Sequence, residues 1–592
     1  MRLRSKLVRQ LRYPMRWLSF FASGIPVILV FPAPSLSYLA WFALVPGMAL
    51  FTRAATTREA IARGWWFGAG YLIAMLYWMA PEIGPGLVLL GAAMGWMWSP
   101  FAVAVHKLLR PGVPGWRLAA AFTVVPSCWL IPEWIRSYQG LGGPWDLYGV
   151  SQWQHPAVLA LAAVGGVWLV SVALVMANVA LLLILGVAWP ALVRPPVPGT
   201  ASAAGAQNAP VVQNAPVVQD GPVVQDGPGT AGGISARRRI ALAAAGAVSF
   251  VIVAGSGPLA FALTPPFPAV RKSTISLVQP GITATAAAQV NASAALTAQL
   301  SKNGLFDGAR PDLIVWGESS ISEDLTGASA ADRRELAEIE SLSAKDGAEI
   351  LVGQDTVLPG QGHEKAAVLV GPSGIKGIYV KTRLVPFGEY IPFRGELGWL
   401  TDISKAASAN MIPGTGAHLL HAVDRAGRPL PIGVLICFES AFPDMSQVDA
   451  SLGAQLIIYQ SSTPTFQGTW GPDQHASLGA VRAAETGRPV VQAALTGDTV
   501  AYDARGRELR WLDQSGHGVV TVTLDLPAAT AKTFYDQAGD YVMWSGVGIT
   551  ALAGLAWLVM LLRRRHFLAS TTGAAGNRTA EYDADTGDPV RS

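Results

Sequence analysis

Eight stretches of this chain are apolar for long enough to leave water: about residues 17–34, 37–52, 64–80, 84–107, 117–135, 157–189, 240–263 and 541–562. Most approach the ~20 residues a helix needs to cross a bilayer, and in lipid only a helix or a closed barrel satisfies its own backbone. The chain has 592 residues, 51% hydrophobic and only 14% charged, with a mean hydropathy of +0.36. A soluble core has no room for that much apolar surface, so much of the chain is expected in membrane. The first two stretches are short and broken by Pro26, Pro32, Pro34 and Pro46, which leaves a hairpin that stops short of a full crossing as the alternative for that pair.

Charge at the ends of these stretches gives an expected orientation, because Lys and Arg near span ends stay on the cytoplasmic side. Arg2, Arg4, Lys6, Arg9, Arg12 and Arg16 precede the first stretch; Arg53, Arg58 and Arg63 follow the second; Lys107, Arg110 and Arg117 follow the fourth. Arg237, Arg238 and Arg239 precede the seventh, and Arg563, Arg564 and Arg565 close the eighth. With eight crossings these clusters all fall on one side. Both termini are then cytoplasmic, and residues 265–540 face out of the cytoplasm. No small-residue cleavage site follows the first stretch, so a cleaved signal peptide is not expected.

Four units follow. Residues 1–264 form a membrane part of seven helices with a flexible linker at about 194–236, where Asn-Ala-Pro-Val-Val-Gln occurs twice and Asp-Gly-Pro-Val-Val-Gln follows. Residues 265–540 form a soluble unit, 541–565 a last helix, and 566–592 a polar, disordered tail. The net charge of +4 comes from the orienting arginines and does not indicate nucleic-acid binding. No phosphate-binding glycine loop and no spaced Cys/His metal set occurs, so neither metal nor cofactor is expected.

The soluble unit alternates strand-like runs (274–278, 313–316, 350–352, 366–370, 432–436, 456–459, 490–494) with helical ones (284–300, 331–345, 474–486), which predicts a layered α/β domain. Three of its ionisable residues stand at or just past the end of an apolar run: Glu318 after Leu-Ile-Val-Trp-Gly, Lys381 after Tyr379-Val, and Cys437 after Pro-Ile-Gly-Val-Leu-Ile. A buried strand delivers such a side chain to a site at its tip. The chain holds two cysteines, Cys128 in the fifth apolar run and Cys437, in different environments, so no disulfide joins them. A thiol of ordinary pKa ~8.5 must lose its proton to attack a carbonyl. Glu318 suits the base and Lys381 the cation, and Lys381 with the N–H after Cys437 suits the tetrahedral oxyanion. Read one at a time, each of these residues is equally a buried thiol, a solvated carboxylate or a surface ammonium; together they suggest a nucleophile with its own base.

The phrases Lys381-Thr-Arg-Leu-Val-Pro-Phe-Gly-Glu389-Tyr and Ile-Cys437-Phe-Glu439 resemble the nitrilase superfamily. The flanking membrane runs, with Glu133-Trp134-Ile-Arg136 and Gly143-Pro144-Trp145-Asp-Leu-Tyr148, are similar to the apolipoprotein N-acyltransferases within it. The resemblance implies an αββα sandwich that passes a phospholipid acyl chain, through a thioester on Cys437, to the amine of a diacylated apolipoprotein in the bacterial inner membrane. It implies Glu318 as base, Lys381 as oxyanion partner, and Glu389 and Glu439 as supports that orient Lys381 and the site. Phe438 stands where members often carry tyrosine, so no hydroxyl acts there. Phe466, Trp470, Trp145 and Tyr148 are candidates for substrate binding. This chain departs from the family where Trp316-Gly317-Glu318 replaces Trp-Pro-Glu, where a loop tryptophan is absent from 282–299, and in Ser461–Trp470. A membrane-anchored amidase using water is the alternative; eight spans exceed what an anchor needs. Nothing in the sequence requires more than a monomer.

Overall fold

The computed structural model describes residues 2–193, 235–283, 285–303, 310–358, 362–402 and 410–581. The Pro-Val-Val-Gln repeats lie outside the described residues. Among those residues, five helices are long and apolar enough to cross a membrane: Gly86–Leu108, Gly115–Arg136, Ala162–Ala188, Ala236–Leu263 and Tyr541–Arg563. Pro14–Val30 and Ser37–Thr52 are apolar but shorter. The stretch read at 64–80 belongs to the helix Thr57–Met75, whose first two turns carry Arg58, Glu59 and Arg63. Glu59 pairs with Arg63 one turn on and with Arg16 of the first helix, each at 3.3 Å. By length and composition the structure therefore gives five spans with two shorter helices, where the sequence pattern gave eight.

Two other differences have local causes. The run read as one span at 157–189 starts in a short helix, Pro156–Leu159; its long helix begins at Ala162, with the ladder broken at Gly165 and Gly166. Gly166 has φ +66°, and a Cβ there would press on the Tyr535 ring, so only glycine fits. The last helix continues to Glu581, correcting the disorder expected from 566; no proline interrupts the chain before Pro589, and extending a formed helix fixes one residue per new bond. Residues 582–592 lie outside the described residues.

The soluble unit is built from two six-stranded sheets with orders β12-β1-β2-β3-β4-β5 and β11-β10-β9-β8-β7-β6. The strands are β1 (Ala269–Gln279), β2 (Leu313–Trp316), β3 (Glu349–Leu358), β4 (Gly362–Gly371), β5 (Gly374–Val380), β6 (Leu420–Val423), β7 (Pro429–Ile436), β8 (Leu456–Ser461), β9 (Val490–Ala494), β10 (Thr499–Tyr502), β11 (Glu508–Leu512) and β12 (Gly518–Pro527). Alternation sorts their side chains. Leu277, Leu313, Val315, Leu351 and Leu369 join the core shared with the second sheet. Val278, Ile314, Trp316, Ile350 and Val368 form a separate core that includes Val290 and Ile339 of the helices Ala286–Asn303 and Ala330–Asp346. Helices Pro443–Leu452 and Gly471–Thr486 cover the second sheet, completing an αββα sandwich.

One buried pair helps to fasten the sandwich to the helices. Arg482 and Glu485, both with fully buried side chains, sit 3.0 Å apart. Glu485 also accepts the N–H of Val167 at 2.7 Å, a donor orphaned by the break at Gly165–Gly166. Removing one member strands the other charge. Glu485→Ala is therefore expected to destabilise the protein by about 3–5 kcal/mol, read as thermal unfolding in detergent micelles.

Candidate active site

Strand direction assembles the site. β2 and β3 are parallel, while β3–β4 and β4–β5 are each antiparallel, so β5 runs the same way as β2 and both release their last residues at one end of the sheet. Glu318 follows β2 and Lys381 follows β5. β7 in the facing sheet releases Cys437, and Gln460 of β8 donates to the Trp316 carbonyl at 2.8 Å, fixing the sheets across this end.

The three residues converge. The Cys437 thiol lies close enough to the Glu318 carboxylate for that charge to act on the sulfur. Lys381 Nζ donates to Glu318 Oε1 at 3.3 Å and to Glu389 Oε1 at 2.7 Å. Glu389 Oε2 in turn accepts the Val385 N–H at 2.9 Å, which folds the 381–389 loop back on itself. Lys381 is fully buried and Glu318 nearly so, whereas Cys437 keeps some exposure. An ammonium with no water persists only where it is paired, and here two carboxylates hold it.

Glu439 does not touch the Lys381 ammonium. Its carboxylate accepts from Tyr379 Oη (3.0 and 3.1 Å), Thr382 N (2.7 Å), Thr382 Oγ1 (2.8 Å), Arg383 N (3.0 Å) and Ile436 N (2.8 Å). It thus ties the end of β5 to the end of β7 and positions Lys381 and Cys437 through their main chains. Cys437 itself has φ +52°, strained by about 1–3 kcal/mol for a residue with a Cβ. A second hold on it comes from His475, whose Nε2 lies 3.0 Å from the Cys437 carbonyl and 2.9 Å from Ser440 Oγ. The carbonyl can only accept, so Nε2 carries the proton, and Nδ1 is left to accept from Ser461 Oγ at 3.1 Å. Burial holds His475 below the usual imidazole range, consistent with a neutral ring.

Charge in the cluster is arranged for proton transfer. Burial alone would raise the Glu318 carboxyl, but the ammoniums of Lys381 and Lys365 outweigh it and hold Glu318 below the usual range. Burial would likewise strip the proton from Lys381, yet Glu318 and Glu389 keep it well above the ordinary lysine value. Burial, reinforced by the Glu318 charge, pushes the Cys437 thiol up. The resting state is a neutral thiol beside an ionised carboxylate and a fixed ammonium.

The aromatic candidates separate. Trp145 stacks on His475 (5.7 Å, 7°) and donates from Nε1 to Gln474 at 3.1 Å, placing it one ring from the Cys437 main chain. Trp78 lies 5.1 Å from Trp145 and 4.7 Å from Phe466, and Trp470 packs 5.0 Å from Tyr77, so Phe466 and Trp470 meet the membrane helices. Tyr148 is fully buried among those helices, its Oη bonded to the Ala40 carbonyl at 2.6 Å. Phe438 packs edge-on to Phe442 at 5.0 Å and lies against Gly143, where a Cβ would overlap its ring. Gly317 also has a cause: a Cβ there would overlap the Leu495 main chain. Sequence reasoning missed Lys365, Tyr379, Ser440 and Ser461, which stand in unremarkable positions and acquire partners only through the fold.

Comparison with known proteins agrees along the chain. Residues 23–180 match the apolipoprotein N-acyltransferase N-terminal domain family, and residues 274–533 the carbon-nitrogen hydrolase family. The apolipoprotein N-acyltransferase of Sinorhizobium fredii is 29% identical over 578 residues, covering 91% of this chain and 94% of that protein. That of Brucella melitensis biotype 1 is 27% identical over 600 residues, covering 93% and 97%. Among solved structures, an amidase from Nesterenkonia sp. AN1 is similar over 45% of this chain and 98% of its own, at 18% identity and a TM-score of 0.32.

The charge arrangement predicts how the thiol titrates. In a Cys128→Ala background, alkylation of Cys437 by iodoacetamide is expected to rise with pH through a midpoint above the ordinary ~8.5. Glu318→Gln, which removes the adjacent negative charge, is expected to bring that midpoint down; an unmoved midpoint contradicts the contact.

Proposed function

The chain belongs to the apolipoprotein N-acyltransferase family within the carbon-nitrogen hydrolase superfamily, and on that premise we propose that Cys437 carries a phospholipid acyl chain to the α-amine of a diacylated apolipoprotein. The observation that carries the reading is the convergence of three strand ends that sets the Cys437 thiol beside Glu318, whose Oε1 is 3.3 Å from the Lys381 ammonium.

In the first half-reaction Glu318 takes the thiol proton as Cys437 sulfur bonds to the ester carbonyl carbon. The carbonyl oxygen becomes an oxyanion facing Lys381 Nζ and the Phe438 N–H. Collapse breaks the ester C–O bond, and protonated Glu318 returns its proton to the departing lysophospholipid oxygen, leaving a thioester. In the second, the acceptor amine attacks the thioester carbon while Glu318 takes its proton, and the second collapse expels the thiolate, which recovers that proton. Glu389 holds Lys381 throughout, and Glu439 and His475 hold the main chain on either side of the sulfur.

Both substrates are anchored in lipid, and the site's geometry suits that supply. The series Phe466, Trp78, Trp145 and His475 leads from the membrane helices to Cys437, and we assign Phe466, Trp78 and Trp145 to the acyl approach. Tyr148, bonded within the helices, supports that approach from behind. The helix Ala236–Leu263 begins among arginines and ends where β1 starts, about 40 Å away at 1.5 Å per residue. On the eight-crossing reading, the distribution of arginine puts the sandwich outside the cytoplasm and both termini inside. Glu318, Lys381 and Cys437 all come from one chain, so one chain is a complete site.

Incubation of purified protein with phospholipid is expected to add one acyl mass to Cys437, and a diacylated lipopeptide is expected to remove it as triacylated product. Cys437→Ser should lower product formation at least ~10³-fold, in the range lost when a nucleophile is deleted. Normal turnover by that variant would overturn the assignment, and loss of the acyl mass to water alone would favour hydrolysis.

A further inference from the structure

Lys365 is a second ammonium at the same carboxylate, and the sheet register puts it there. β4 pairs Asp355 with Lys365, and beyond the end of the β4–β5 ladder the Lys381 N–H donates to the Lys365 carbonyl at 2.9 Å. Asp355, Lys365 and Lys381 therefore stand on one rung, and residues directly opposite on neighbouring strands project to the same face. Two lysines side by side repel unless an anion lies between them. Here Glu318 Oε1 lies 3.5 Å from Lys365 Nζ and 3.3 Å from Lys381 Nζ. Lys365 is itself anchored, donating to both Asp355 oxygens at 3.1 Å and to Ser319 Oγ at 2.7 Å, with 13% of its side chain exposed.

Charge counting gives this arrangement a purpose. At rest the enclosed groups are Glu318 and Glu389 against Lys365 and Lys381, two of each sign, with Asp355, its side chain 44% exposed, pairing Lys365 from the margin. When Glu318 has taken the thiol proton, the oxyanion replaces it as the second negative charge. The balance is kept in both states only with two lysines. With Lys381 alone, the oxyanion and Glu389 compete for one ammonium.

We propose that Lys365 is a positioning residue for Glu318: it supplies a second counter-charge that keeps the carboxylate ionised and aimed at Cys437 until it takes the thiol proton, leaving Lys381 free to meet the acyl oxyanion. This rests on Glu318 being the base. Glu318 is faced by Lys381, Lys365, Cys437 and, from the helix Gly471–Thr486, His475. Of these, Lys365 adds positive charge without a bond to Glu389 or to the sulfur. Removing it leaves Glu318 with a higher proton affinity, so the carboxylate is protonated, and activity lost, at a higher pH.

The test follows acyl-Cys437 formation by intact mass, in a single turnover across pH, with full-length protein and mixed phosphatidylethanolamine–phosphatidylglycerol micelles. Glu318→Gln comes first; acylation at the normal rate in that variant overturns the base assignment and the inference with it. With Glu318→Gln inert, Lys365→Met is expected to move the acid limb up by about one pH unit, the low end of what a nearby opposite charge does. Lys365→Arg, which keeps the charge, is expected to restore it. If Lys365→Met does not accumulate, Lys365→Gln carries the same comparison. An acid limb unmoved in the neutral variant, at whatever rate, overturns the positioning role while leaving the base assignment intact.

Discussion

The structure depends on keeping one ammonium, that of Lys381, charged with no water around it. Its side chain is fully buried, and removal of such a charge from water costs several kcal/mol unless partners replace the solvent. Glu389 at 2.7 Å and Glu318 at 3.3 Å replace it. Those carboxylates are buried too, so each needs donors in turn, and the requirement spreads outward to Val385, Lys365, Asp355 and Ser319. The network is connected because an incomplete one costs more than an apolar core.

A second network, centred on the Glu439 carboxylate, fixes the main chain. Glu439 gathers five donors from the ends of β5 and β7, and His475 holds the Cys437 carbonyl from the covering helix. These bonds keep Cys437 at a positive φ that a strand end would otherwise relax. The strain presents the sulfur to Glu318, and the Glu439 carboxylate, unavailable for chemistry because every approach is occupied, acts as a bracket. Trp145 lies flat on His475 and belongs to the loop that leaves the helix Gly115–Arg136, so packing among the helices reaches the Cys437 main chain through these two rings.

The sandwich strands were readable because each is short, β-branched and apolar, as in β2, β7, β8 and β9, and the two inner faces and two outer faces follow from alternation. Edge strands such as β11 carry Glu508 and Arg510 and fade into loop composition, so period and hydropathy do not reveal them. In the helical part, hydropathy located apolar runs but not their continuity. Arg58, Glu59 and Arg63 sit in the helix Thr57–Met75 because Glu59 meets Arg16 from another helix, a contact without trace in local sequence.

The sequence alone determined which residues are candidates for the chemistry, since a carboxylate, an ammonium and a thiol at strand tips are local properties of composition and period. It also determined where charge interrupts apolar runs. Tertiary structure alone decided that Glu439 works through backbone rather than on Lys381, that Gly317 is demanded by Leu495, and that Lys365 shares Glu318 with Lys381. The physical reason is range. Strand propensity and hydropathy act over a few neighbours, whereas a rung of paired strands sets Asp355, Lys365 and Lys381 side by side from positions ten and sixteen residues apart, and only their register makes two ammoniums meet one oxygen.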